Sequence, residues 1–178
     1  KAAPLLAKSI DANPSFRSAY VVLAALYFQA ARPRSALQVL VKALKNNIKD
    51  VEILNMVGYG LMQENKLDEA LKILEQARTE AEQTSVLYCI DLIYINWYTA
   101  NLLVGKGDAA IAILEEGIRK YPDVVSFYTN LVNLFVQTHQ SAQALTYCEK
   151  ALALELLPDM RRHLETVEKN LKAAGTTP

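Results

Sequence analysis

The chain has 178 residues, is 52% hydrophobic with only six glycines, and balances nineteen basic residues against nineteen acidic ones. That supplies ample apolar surface for a helix-on-helix core at the length of one ordinary domain. It leaves none of the clustered Lys and Arg that a nucleic-acid or anionic-membrane binder needs, so both partner classes are excluded.

In chain order, Ala2, Leu6, Ser9 and Ile10 share one helical face, with Pro4 tolerated in the first turn, and 11–14 closes the segment. Tyr20, Leu23, Ala24 and Tyr27 then fall at i, i+3, i+4 and i+7, and after Arg32 and Pro33 a second face follows at Ala36, Leu40 and Ala43. Asp50 is placed as the N-cap of the next hairpin, Gly58 as its small residue and Asn65 with Lys66 as its turn. Asp68 and Glu69 stand at the positive end of the following helix. Six extra residues enter around 79–85, before the most apolar stretch, VLYCIDLIYINWY at 86–98. Asp91 and Asn96 interrupt it and no basic anchors flank it, so no membrane span is expected. The expectation is a longer helix there, either packed on lengthened neighbours or exposing an apolar strip to a partner. His139 marks the last hairpin turn. Beyond Pro158, Met160, Leu164, Val167 and Leu171 line one side of a final helix, with Gly175 and the tail to Pro178 expected to stop it.

The spacing repeats. The second-helix alanine recurs as Ala2, Ala36, Ala70, Ala110 and Ala144, in steps of 34, 34, 40 and 34. The large residue four places on recurs as Leu6, Leu40, Leu74, Leu114 and Cys148, and the first-helix aromatic or Leu as Tyr20, Leu54, Tyr94 and Tyr128. With NKLDEALKILEQA at 65–77, YTNLVNLF at 128–135, and Pro14 and Pro122 trailing their units, the sequence resembles the tetratricopeptide repeat. The resemblance implies an all-α, right-handed superhelical stack of antiparallel helix pairs with a C-terminal capping helix. A single array would run as the second helix of a truncated repeat at 1–16, repeats at 17–50, 51–84, 91–124 and 125–158, and a cap at 159–174. The chain begins without Met and in mid-repeat, so it is expected to be a fragment of a longer protein. Tyr98 and Val132 stand where the pattern wants a small residue, and Asn101 where it wants Tyr, so the paired helices are expected to approach less closely there.

Little points to chemistry. His139 and His163 lie far apart in sequence with no metal-ligand spacing near either, and no nucleophile elbow or phosphate loop is present, so no catalysis, cofactor or metal is expected. Cys89 and Cys148 read as buried free thiols, which points only weakly to a cytoplasmic location. The resemblance implies a concave groove lined by first helices. Its candidate contacts are Phe28, Asn55, Tyr59, Met62, Asn96, Thr99, Asn130, Asn133 and Gln137, mostly uncharged, with Phe28, Tyr59 and Met62 as apolar anchors. Repeats of this family that hold acidic chaperone tails use Lys, Asn and Arg on these helices. Here the cationic positions carry Val21, Val22, Asn55, Met56, Ile95, Asn96, Thr129 and Asn130, so a chaperone tail is rejected as partner. Asn96 and Asn130 occupy equivalent positions, similar to the asparagine ladder with which repeat arms of glycosyltransferases grip peptide backbone. The leading expectation is a non-enzymatic protein-interaction scaffold for a largely uncharged extended peptide or partner helix. The alternatives are an assembly subunit or homo-oligomer joined through 86–98, and the recognition arm of a larger enzyme.

Overall fold

Small residues facing large ones decide where these helices can meet. The computed structural model describes residues 2–174, which form ten helices and, among the described residues, no strand. They are α1 (Ala2–Ala12), α2 (Arg17–Gln29), α3 (Pro33–Lys45), α4 (Val51–Gln63), α5 (Leu67–Thr84), α6 (Ile90–Leu103), α7 (Gly107–Lys120), α8 (Val125–Gln137), α9 (Ser141–Leu152) and α10 (Pro158–Ala174). The expected stop at Gly175 and the tail lies outside the described residues. The helices form two compact units, Lys1–Gly105 and Lys106–Pro178.

In the first unit, Tyr20, Ala24, Ala36, Leu40, Ala43, Ala70 and Leu74 are fully buried in one core. Those are the positions the period singles out. Gly58 completes the set for a steric reason: a Cβ there would lie 2.5 Å from both Cγ and Cδ2 of Leu74. The α4 backbone therefore rests directly on a leucine side chain. In the second unit the sizes are exchanged. Val132 takes the small position, and the residue equivalent to Leu74 is the smaller Cys148; both are buried in the core with Tyr128, Ala151 and Leu164. The expected loosening around Val132 is therefore absent, because volume removed from one helix is returned on the other. At the chain's start the period is a weaker guide. Ile10 is buried and Leu6 half-buried, but Ala2 is exposed, with no described helix packed over it.

The turns that follow α2, α4, α6 and α8 share one backbone device. Ala31, Asn65, Gly105 and His139, at equivalent positions, all adopt left-handed φ values of 53°, 57°, 77° and 57°. Each N–H bonds back to a carbonyl three residues earlier, to Phe28, Met62, Leu102 and Val136. The next N–H reaches further into the helix in three of them, from Arg32 to Tyr27, Lys66 to Leu61 and Gln140 to Phe135. This is the Schellman arrangement, which satisfies the last carbonyls of a helix. Only one of the four turns uses glycine to reach it.

The six inserted residues lengthen α5, not the apolar helix after it. α5 runs for 18 residues to Thr84 and ends at left-handed Ser85, whereas α6 has only 14 and begins at Ile90. Residues 79–84 have the helix-compatible sequence TEAEQT, with Ala81 fully buried and Arg78 paired to Glu82 four residues on. The extension also replaces a missing proline contact. In regular repeats the tyrosine hydroxyl donates to the trailing proline carbonyl, Tyr20 to Pro14 at 3.0 Å and Tyr128 to Pro122 at 2.8 Å. Tyr94 instead donates to the Glu82 carboxylate at 2.8 Å, and the Arg78 guanidinium lies over the Trp97 ring at 4.9 Å. The lengthened α5 is thereby locked to α6.

At the C-terminus α10 closes the second unit. Leu164 is buried, but Met160 is exposed at the helix start, not seated in the core as its spacing predicts. Arg161 donates to the carbonyls of Leu152 and Leu154 at 3.2 Å each, covering the end of α9.

Candidate functional site

Three first helices, α2, α4 and α6, belong to the first unit, and side chains join them in sequence. Phe28 of α2 meets Tyr59 of α4 edge to face, with ring centroids 5.0 Å apart. Asn96 of α6 donates through Nδ2 to Asn55 Oδ1 of α4 at 2.8 Å. At the helix starts, Arg17 of α2 forms a pair with Asp50 and donates to Glu52 at 2.6 Å. The Asp50 carboxylate also accepts from the Ile53 N–H at 3.0 Å, as the N-cap the sequence predicts.

Asp50 is an electrostatic hinge point of this edge. Burial alone pushes its carboxyl up, but the Arg17 guanidinium and the Ile53 N–H outweigh that and hold it below its ordinary value. A carboxylate whose pKa is lowered on folding adds stability above its unfolded pKa and loses it as pH falls through the folded value. Asp50→Asn keeps a competent N-cap while deleting the charge, so the variant is expected to melt below the wild type at pH 7. The two melting temperatures are expected to converge as the pH falls through that lowered folded value, as thermal unfolding between pH 2 and 7 would show.

The expected contact residues do not all stand open. Tyr59 is 37% exposed and Phe28 half-buried beside it, so they form an accessible aromatic pair. Met62 is only 8% exposed and belongs to the core cluster, which removes it as an anchor. Its spacing on α4 is that of a wall residue, but α4 is buried around most of its circumference. Asn55 is likewise buried and acts through its bond to Asn96, itself half-buried. Thr99 turns its hydroxyl back to the Ile95 carbonyl at 2.7 Å.

Asn130, Asn133 and Gln137 lie on α8, in the second unit. Asn133 and Gln137 are exposed, whereas half-buried Asn130 donates to the Ser126 carbonyl of its own helix at 2.7 Å. The two amides read as rungs thus behave differently: Asn96 reaches across to a neighbouring helix and Asn130 folds back on its own. Their shared repeat position could not reveal this, because the side-chain partner lies 41 residues away in one case and four in the other.

Apolar side chains surround the first-helix edge. Leu87, Tyr88 and Leu92 are 48%, 68% and 53% exposed, and Val22 and Leu103 are also exposed, while Cys89, Ile90, Ile93 and Tyr94 are buried. The stretch 86–98 is therefore split between a packed face and an open one. Neither cysteine is bonded to another, and burial raises both thiols, Cys89 to about 11. Among the described residues no helix is long and apolar enough to cross a membrane.

Comparison with known proteins gives no matching family model and no matching curated protein. Solved structures do match. MamA superposes with a TM-score of 0.68 at 19% identity over 85% of both chains. PilW, a type IV pilus biogenesis factor, gives 0.71 at 16% identity over 95% of this chain and 80% of its own. YrrB, a TPR protein with an unusual peptide-binding site, gives 0.64 at 17% over 93% and 82%. At such identities the likeness is one of fold. Together with the 34-residue period and the buried positions it selects, it establishes that the chain has the tetratricopeptide-repeat fold.

Proposed function

We propose that the chain is a protein-interaction scaffold that holds an extended, largely uncharged peptide against the first-helix face of its first unit. The observation that carries this reading is the Asn55 and Asn96 pair, bonded at 2.8 Å across two neighbouring first helices. One amide-to-amide bond lets buried Asn55 orient Asn96, whose oxygen and second N–H are left to accept from and donate to a passing backbone, which grips a peptide without reading its side chains. Tyr59, set edge-on by Phe28, offers an apolar anchor beside the pair. Val21 and Val22 on α2, and Ile95 on α6, stand where an acidic-tail clamp needs cations, which argues for an uncharged ligand. Among proteins of the same fold, YrrB has a peptide-binding site, which supports the class of function.

The test is selection of peptides from a library lacking charged residues, followed by affinity measurement. Asn96→Ala and Tyr59→Ala are each expected to weaken the selected peptides about tenfold, roughly 1.4 kcal/mol. Unchanged affinity in both would discard the face as the binding site.

The exposed Leu87, Tyr88 and Leu92 favour a second reading, assembly of copies or subunits through this strip. Light scattering across a concentration series decides it. A monomer at every concentration sinks self-assembly, and a dimer abolished by Leu92→Glu supports it.

A further inference from the structure

A trough of about 690 Å³ opens on the opposite helices of the first unit, between α3 and α5, and nothing in the first-helix reading uses it. Its floor is Leu37, Val41, Val57, Leu61 and Ile73, and its rim carries Lys42, Lys45, Lys66 and Lys72 against a single acid, Glu69. Lys42 is engaged by Asp11 at 2.6 Å and Lys66 stands 4.0 Å from Glu69. Lys45 and Lys72 have no acidic partner among the described residues.

Val41 separates this trough from an ordinary valley between repeats. It is 42% exposed, and the residues at its repeat position in the three later hairpins are all glutamate: Glu75, Glu115 and Glu149. The later second helices carry charge at this place, and among the described second helices only Val41 is an exposed β-branched hydrophobe. The lining on α3 runs from Leu37 to Lys45, a rise of about 12 Å along the helix, with Leu37, Gln38 and Val41 giving way to Lys42 and Lys45. A single anionic headgroup has no use for the apolar floor of Leu37, Val41, Val57, Leu61 and Ile73, whereas an amphipathic partner does.

We propose that this trough docks an acidic amphipathic helix of a partner protein, whose apolar side chains enter between α3 and α5 and whose Asp or Glu residues meet Lys45 and Lys72. The chemistry is that of helix-in-groove recognition, with register set by the basic rim. It is independent of the first-helix face, so either can fail alone.

The probe is a synthetic helical peptide with leucine at i, i+4 and i+7 and glutamate on both flanks, titrated into the full chain by fluorescence anisotropy. Its counterparts carry lysine for glutamate or the same residues in scrambled order. The acidic peptide is expected to bind at least tenfold tighter than either counterpart, and to weaken as salt rises. Val41→Glu installs the residue the other repeats already carry and so preserves the fold. It and the double variant Lys45→Glu with Lys72→Glu are each expected to lose at least tenfold, with Tyr59→Ala unchanged. Equal binding of the acidic and basic peptides overturns the proposal, as does affinity untouched by Val41→Glu. Binding to phosphatidylglycerol vesicles without peptide binding overturns it in favour of a lipid. Self-association abolished by Val41→Glu overturns it in favour of a second copy.

Discussion

Gly58→Val is expected to destabilise the first unit by about 3 kcal/mol, at the upper end of what overpacking a core usually costs. The missing Cβ is the reason. It would sit 2.5 Å from both Cγ and Cδ2 of Leu74, and Leu74 is fully buried with its repeat neighbours Ala70 and Ala77. Because Cγ is the branch point, rotating the terminal methyls does not clear the clash, and one of the helices α4 or α5 has to move. Gly58→Ala gives a sharper measurement. Alanine regains about 1 kcal/mol of helix propensity over glycine, so its net effect reports the clash minus that gain. In a Leu74→Ala background, which alone costs about 2–5 kcal/mol, the new methyl enters the vacated space. The double variant should therefore be more stable than the sum of the single variants by about 1 kcal/mol or more in urea unfolding. Strict additivity would mean that Gly58 and Leu74 are not in contact. Val132 opposite Cys148 is this exchange already made in the second unit.

Leu164→Asp is expected to be the most damaging substitution in the second unit. The side chain is 2% exposed and packs with Tyr128, Val132, Cys148 and Ala151, and the Cys148 thiol donates to the Leu164 carbonyl at 3.3 Å. An open repeat stack shows an apolar flank at its last hairpin, and α10 covers it here. Leu164→Ala removes packing alone, about 2–5 kcal/mol, whereas Asp adds an unpaired carboxylate to the same site and should exceed it. Amide hydrogen exchange is the suitable readout, with protection expected to fall across α8, α9 and α10. Leu164→Asp within about 1 kcal/mol of wild type would show that α10 is dispensable to the core.

Much of the fold was legible because a repeat averages out local ambiguity. One alanine at a helix crossing says little, but Ala36, Ala70, Ala110 and Ala144 in register define a buried line, and all four are fully buried. Caps and turns were readable for a similar reason. Asp50, Pro33 and the Asn65 turn act through their own backbone, so their neighbours in sequence suffice to predict them. The insertion was harder. Residues 79–85 and 86–98 both suit a helix, and what selected α5 for lengthening was burial of Ala81 and the reach of Glu82 to Tyr94, which are tertiary facts.

The candidate site divides along the same line. The sequence alone determined the all-helical repeat, its turns and the buried line at Ala36, Ala70, Ala110 and Ala144, since these follow from a period and from local backbone chemistry. Only tertiary structure decided how individual side chains are used. Met62 is drawn into the core, Asn55 and Asn96 bond to each other, Asn130 turns back on its own helix, and Val41 opens onto a trough between α3 and α5. The physical reason is that a side chain's partner across a helix interface can lie 41 residues away. Periodicity gives the direction in which a residue points, but only the neighbouring helix determines what it meets there.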